Sequence, residues 1–321
     1  AESHPGEVRI AFDGDAGGDV CGDAVGQLGG PQAVDFGRRR ALDGASGTAQ
    51  GEVLAGDHRI DAVIHLGRIG TNEVNREGRY AANVLGSQRL LDLARKYQVG
   101  QTLVMSTYFV YGAHPLNPAY LTESSPLKAA GITMDLVDSV ELENLATIYL
   151  WKYPELNITI LRPCNIIGPG VNNTLSQLLM QERVPVLMGF SPMMQFIHLE
   201  DMADAIVAGF EGNKPGIYNV APDDCVPYAK AVSLCGCKTL PVPSVPSVMP
   251  TLMSGLLGKP LFPPHLLNYF KYAATIDGSL FASTFGFKPR YSLRDIFAHY
   301  RNLKSEEDGI RFFKILPIKG R

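Results

Sequence analysis

Between Asp61 and Ala221, short apolar runs alternate with longer stretches of helical spacing, and few architectures accommodate that alternation. Asp61 to Gly67, Thr102 to Met105, Asn157 to Leu161 and Gly216 to Ala221 read as buried strands. Between them, Gln88 to Lys96 carries Leu90, Leu91 and Ala94 at helical spacing. Asp135 to Trp151 reads as a long helix with Val140, Leu142, Leu145, Ile148 and Leu150 as its apolar content. Strands and helices in turn imply an α/β chain built on a doubly wound, parallel Rossmann-type sheet. With 321 residues and 45% hydrophobic content, the chain is long enough to bury a sizeable core.

The N-terminal part fits the same pattern. Val8 to Phe12 reads as a first strand, Gly14 to Val20 as a glycine-rich turn, Asp23 to Leu28 as a helix, and Ala33 to Phe36 as a second strand ending in an acid. Residues 37–60 show no clear period. After Asn165 the pattern changes to loops rich in Pro and Met, then a strand running into a helix from Met194 to Ile206. The expected organisation is a Rossmann-type dinucleotide-binding domain over residues 1–165, with 195–222 returning to it. Residues 166–194 and 223–321 form a small, mostly helical C-terminal substrate lobe.

Net charge is −3, and the only basic run is Arg38-Arg39-Arg40, so no nucleic-acid surface is expected. That run is either a solvated turn or a seat for a ribose 2′-phosphate. The five cysteines show no metal-ligand spacing, and Cys235-Gly236-Cys237 is too tight for a strain-free bridge. Reduced thiols in a cytoplasmic protein are the simplest account. Residues 1–10 carry no apolar leader, and no run of eighteen apolar residues suggests a transmembrane segment. The most apolar stretch, Val248 to Phe270, is broken by prolines. It reads as a pair of short helices capping a substrate pocket, with a partner or membrane surface as the alternative.

Two motifs carry chemistry. Leu161-Arg162-Pro163-Cys164-Asn165-Ile166-Ile167-Gly168-Pro169-Gly170 follows one predicted strand, and Ser106-Thr107-Tyr108-Phe109-Val110-Tyr111-Gly112 follows another. Together with Tyr111 to Pro118, Phe262 to Leu267, and Phe285 to Leu293, they resemble the extended short-chain dehydrogenase/reductase superfamily. Within it, the NAD-dependent epimerase/dehydratase family of nucleotide-sugar enzymes is the nearest group. The resemblance runs from Asp61 to Tyr300.

The resemblance implies a catalytic Ser or Thr, a Tyr base and a Lys four residues after the Tyr. The Lys cation and the cofactor ribose would lower the phenol's pKa so that phenolate acts near neutrality. Thr107 matches the first position. Counting back eight residues from Glu143 puts Asp135 at the Tyr position and Ser139 at the Lys position, so neither residue of the proton relay is present. Asp135, with an ordinary carboxylate pKa near ~4, is too weak a base for a sugar hydroxyl unless burial raises it strongly.

For the cofactor, the resemblance implies contacts from Gly14, Gly17, Val20, Asp35, Leu66, Gly67 and Asn83. Val20 stands where the family has its third glycine, and Asp15 and Asp19 add negative charge beside the expected pyrophosphate. Asp35 either accepts from an adenosine ribose or simply ends a strand. NAD or NADP binding is therefore expected to be weakened or lost. For the substrate, the resemblance implies Arg162, Asn165 and His198; the alternative is that Asn165 holds its turn, His198 is structural, and Asp201 caps the helix that follows. It also implies a homodimer paired through the helix from Asp135. The resulting expectation is a pseudoenzyme that binds a nucleotide, dinucleotide or nucleotide sugar as sensor or scaffold. The alternative is an active NAD(P)-dependent epimerase or oxidoreductase using Thr107 and a relocated base.

Overall fold

The computed structural model describes residues 60–68, 76–244 and 264–315. Among the described residues, four parallel strands form the central sheet: β1 (Ala62–His65), β2 (Gln101–Met105), β3 (Ile158–Pro163) and, after several intervening elements, β8 (Gly216–Val220). Their spatial order is β1-β2-β3-β8, with Ile64 opposite Leu103, Val104 opposite Ile160, and Leu161 opposite Tyr218.

Successive side chains on each strand point to opposite faces, and both faces are covered. Val63, Val104, Ile158 and Ile160 pack under α2 (Ser87–Lys96) and α4 (Val137–Lys152), meeting Leu91, Ala94, Ala146 and Leu150. Ile64, Leu103 and Leu161 turn the other way. They join Met202, Ala205 and Ile206 of α6 (Leu199–Gly212) and Phe281 of α8 (Ser279–Phe285). This is the parallel, doubly covered sheet that the alternating sequence predicts.

The remaining elements lie outside the sheet. α1 (Arg76–Tyr80) enters a π turn over Ala81–Gly86 that runs straight into α2. α3 (Ala129–Ile132) precedes a 3-10 turn over Met134–Leu136, which leads into α4. β4 (Asn165–Ile167) pairs with β7 (Phe196–His198). α5 (Thr174–Met180) is followed by β5 (Arg183–Leu187) and β6 (Met193–Met194). β9 (Val226–Pro227) pairs with β6; α7 (Tyr228–Leu234) then leads to β10 (Lys238–Val242), which pairs with β5. Two-stranded ribbons thus accompany the helices in this part of the chain. α9 (Leu293–Ile315) closes the described structure. Among the described residues, no helix is long and apolar enough to cross a membrane.

Two sequence expectations need correction. The helix expected to start at Asp135 begins at Val137, because Thr133 accepts a hydrogen bond from the Asp135 amide and caps a tighter 3-10 turn first. Asp135 and Ser139 therefore do not share one regular helix. Ile148, expected among the apolar content of that helix, is 57% exposed. The glycine-rich turn, Arg38 to Arg40 and most of Val248 to Phe270 lie outside the described residues.

Candidate functional site at the carboxyl edge of the sheet

Four parallel strands deliver Leu66-Gly67, Ser106-Thr107, Cys164-Asn165 and Ala221 to one edge, the edge where open α/β sheets bind ligands. Thr107 is half-buried and caps the 3-10 turn Tyr108–Tyr111, its Oγ1 accepting from the Phe109 amide at 3.3 Å. Gly112 ends that turn at φ +76°. A Cβ there would lie 3.0 Å from the Ala129 amide nitrogen, which explains why the turn needs glycine.

The phenols around Thr107 are spoken for. Tyr108 donates to Asn165 Oδ1 at 2.8 Å, Tyr111 donates to Asn219 Oδ1 at 2.7 Å, and Tyr269 donates to the Phe109 carbonyl at 2.5 Å. Burial raises all three pKa values, Tyr111 to about 12 and Tyr108 and Tyr269 well above the ordinary phenol value. A phenolate base requires the opposite shift.

Asp135 and Ser139 stand where the proton relay is expected. Asp135 takes Arg76 Nη2 on its carboxylate at 2.9 Å and Arg79 Nη2 on its backbone carbonyl at 3.1 Å. Ser139 is 2% exposed, and its Oγ has no hydrogen-bond partner. Beside it lies a polar cluster that sequence reasoning missed. Asp138 accepts from Asn83 Nδ2 at 2.6 Å and pairs with Arg79 Nε at 3.4 Å, while its Oδ1 lacks a hydrogen-bond partner. Burial holds the Arg68 guanidinium below its ordinary pKa, with Asp138 opposing that shift. Asn83, expected at the cofactor, reaches this cluster from the π turn. Adjacency to Ser139 was the one sequence signal pointing to Asp138.

His65 ends β1 in the same neighbourhood. Its Nε2 lies 2.8 Å from Ser87 Oγ, whose own proton goes to the Asn83 carbonyl at 2.6 Å. Ser87 must then accept, so Nε2 carries the imidazole proton and Nδ1 is a bare, buried acceptor without a partner. Burial lowers the His65 pKa to about 4. Leu66 is buried and Gly67 partly so, both at the strand end.

The three expected substrate residues all have protein partners. Arg162 gives Nε and Nη2 to Glu143 Oε1 at 2.9 and 2.6 Å, and Nη1 to Tyr111 Oη at 2.7 Å and to the Glu123 carbonyl at 3.0 Å. Asn165 donates to the Gln195 carbonyl at 2.9 Å while accepting from Tyr108. His198 caps α6, its Nδ1 accepting from the Glu200 amide, and its ring stacks on Tyr291. Asp201 is not the cap expected as the alternative; its carboxylate instead accepts the backbone amides of Arg290 and Tyr291. Tyr108, Cys164, Asn165, Met193, Met194, Gln195, Tyr269 and Ala274 nevertheless line a small cleft. Gln195 fixes one wall by donating to the Pro222 and Ile276 carbonyls and accepting the Ile276 amide. Gly14, Gly17, Val20 and Asp35 lie outside the described residues.

Solved structures share this architecture. A dTDP-glucose 4,6-dehydratase (rfbB) from Bacillus anthracis in complex with NAD superposes with a TM-score of 0.67 at 15% identity, covering 94% of this chain and 98% of its own. MoeE5 in complex with UDP-glucose and NAD gives 0.69 at 18% identity, covering 94% and 99%. The uncharacterized protein Rv0501 of Mycobacterium tuberculosis is 26% identical over 251 residues, 75% of this chain and 65% of its own, so the chain spans under two thirds of that relative. The sequence pattern of one family matches residues 42–221, more than half of the chain: it belongs to the NAD dependent epimerase/dehydratase family.

Proposed function

We propose that this chain is a degenerate family member that binds a nucleotide, dinucleotide or nucleotide sugar at the carboxyl edge and performs no phenolate-driven hydride transfer there, serving as a sensor or scaffold. The observation that carries this reading is the pairing of Asp135 with Arg76, beside a buried Ser139, where the family relay would stand. The neighbouring phenols support it, since burial pushes them away from the base range. The residues present do fit the hydroxyls of a ribose or sugar: Asp138 Oδ1, Ser139 Oγ and His65 Nδ1 are buried polar atoms without protein partners. A bound nicotinamide would supply hydride chemistry, but no side chain described at this edge is set to move the accompanying proton. The unlinked thiols at Cys164, Cys225, Cys235 and Cys237 support a reducing, cytoplasmic setting. We further propose a homodimer, paired through the outer face of α4.

The test is titration of the purified protein with NAD, NADP, UDP-glucose and dTDP-glucose. At least one should raise the melting temperature in a saturable way, while prolonged incubation yields no altered sugar and no change in nicotinamide fluorescence. Sustained turnover of either sugar would refute the absence of catalysis. A melting temperature indifferent to all four would refute the binding role.

A further inference from the structure

We propose that Cys237 and Lys304 are an oxidation-dependent cross-linking pair, joined by hydroperoxide through a sulfur–nitrogen bond. Lys304 Nζ lies 2.5 Å from Cys237 Sγ, with no atom between them. The amine is also held by the Leu179 carbonyl at 2.5 Å and the Cys235 carbonyl at 3.2 Å, so three acceptors from two segments fix it against the sulfur. Cys237 Sγ is in turn oriented by the Leu179 carbonyl at 3.2 Å. The pair joins parts of the chain remote in sequence: Cys237 follows α7, and Lys304 lies on α9. Gly236, at φ +72°, turns the chain where a Cβ would sit 3.4 Å from Arg301 Cγ on that same helix.

The two neighbouring thiols differ in the way this chemistry needs. Both are buried, but Cys237 keeps 8% of its surface exposed and Cys235 keeps none. Burial pushes the Cys235 thiol up to about 12, which keeps it out of the nucleophilic thiolate form. The spacing of the two cysteines also disfavours a disulfide between them.

The Cys237 thiol gives up the proton it shares with the Leu179 carbonyl to solvent. The resulting thiolate attacks one peroxide oxygen, the O–O bond breaks, and sulfenic acid and hydroxide form. Hydroxide takes a proton from the Lys304 ammonium to give water. The freed nitrogen lone pair then attacks sulfur, the S–O bond breaks, and a second water leaves. Sulfur is oxidised by two electrons and peroxide is reduced to water; sulfenic acid condensing with nitrogen is known chemistry for this oxidation state. The product ties α9 to the segment after α7.

The full-length protein is treated with hydrogen peroxide, digested and analysed by mass spectrometry. The expected product is a peptide pair joined at Cys237 and Lys304, about 2 Da lighter than the sum of its parts and released by dithiothreitol. Trypsin should no longer cut after Lys304. Lys304→Arg should abolish the link and leave a Cys237 sulfenic acid that dimedone traps, while Cys235→Ser should keep the link. Any of three results would overturn the proposal: dimedone capture of wild-type Cys237 with Lys304 still cleavable, a Cys235–Cys237 disulfide as the product, or a linked pair about 14 Da heavier, which marks an inserted oxygen.

Discussion

At the residue scale, His65 shows how burial writes a pH dependence into a strand end. In the unfolded chain its imidazole titrates near its ordinary value of 6.5; in the folded protein burial lowers this to about 4. Between those values the unfolded state binds the extra proton, so stability present above pH 6.5 is lost as pH falls towards 4. The loss is on the order of 3 kcal/mol. Urea denaturation at pH 7 and pH 4.5 should show it in the wild type, and His65→Gln, which keeps a donor for Ser87, should lose clearly less. Equal losses in both proteins would remove His65 as the cause. His65 was legible as a strand residue, since Ala62 to Leu66 is an apolar run. Its bare Nδ1 was not, because that follows from Ser87 donating to Asn83, and both come from the π turn and helix beyond the strand.

At the element scale, α4 is tied to β3 by one ion pair. Glu143 is fully buried and Arg162 is 3% exposed, and Tyr111 and the Glu123 carbonyl complete the guanidinium's coordination. Removing one partner leaves an uncompensated buried charge, which costs about 3–5 kcal/mol. Glu143→Gln should therefore lower the urea midpoint strongly, whereas Tyr111→Phe should cost about 1 kcal/mol. A Glu143→Gln protein as stable as wild type would show that the pair contributes no net stability. The motif around Arg162 made the residue visible, and the resemblance implied a substrate role for it; its buried partner was not visible. Glu143 entered the sequence reading only as a counting mark for the relay, and a partner 19 residues away cannot be read from local spacing. The start of α4 was misjudged for a local reason: the apolar pattern continues through Leu136, while the Thr133 cap enforces a 3-10 turn first.

At the scale of the whole molecule, the two-faced parallel sheet was the most legible feature, because strands buried on both sides are continuous apolar runs. The contents of the carboxyl edge were less so. Arg76 and Arg79 reach Asp135, and Arg79 and Asn83 reach Asp138, across more than 50 residues, and no short motif encodes that meeting. The outer surface carries its own signal. Ile148 and Trp151 are exposed on α4, with Leu85 exposed on the π turn packed against it, a grouping that water disfavours on a lone chain. Sedimentation should find a dimer, and Trp151→Glu should shift it to a monomer with unchanged circular dichroism. A wild type that sediments as a monomer at tens of micromolar, a concentration at which a standard-sized interface holds, rejects the pairing.

The π turn between α1 and α2 sets the phase of everything before it. One residue of surplus winding separates Arg76 and Arg79 from the helix that packs on the sheet. Excising Ala82 would remove the surplus residue from the helix and swing both arginines about 100° around the axis. Arg79 would leave Asp138, and Arg76 would leave Asp135. A chain shortened by that single residue would lose the electrostatic wiring at the carboxyl edge of its sheet.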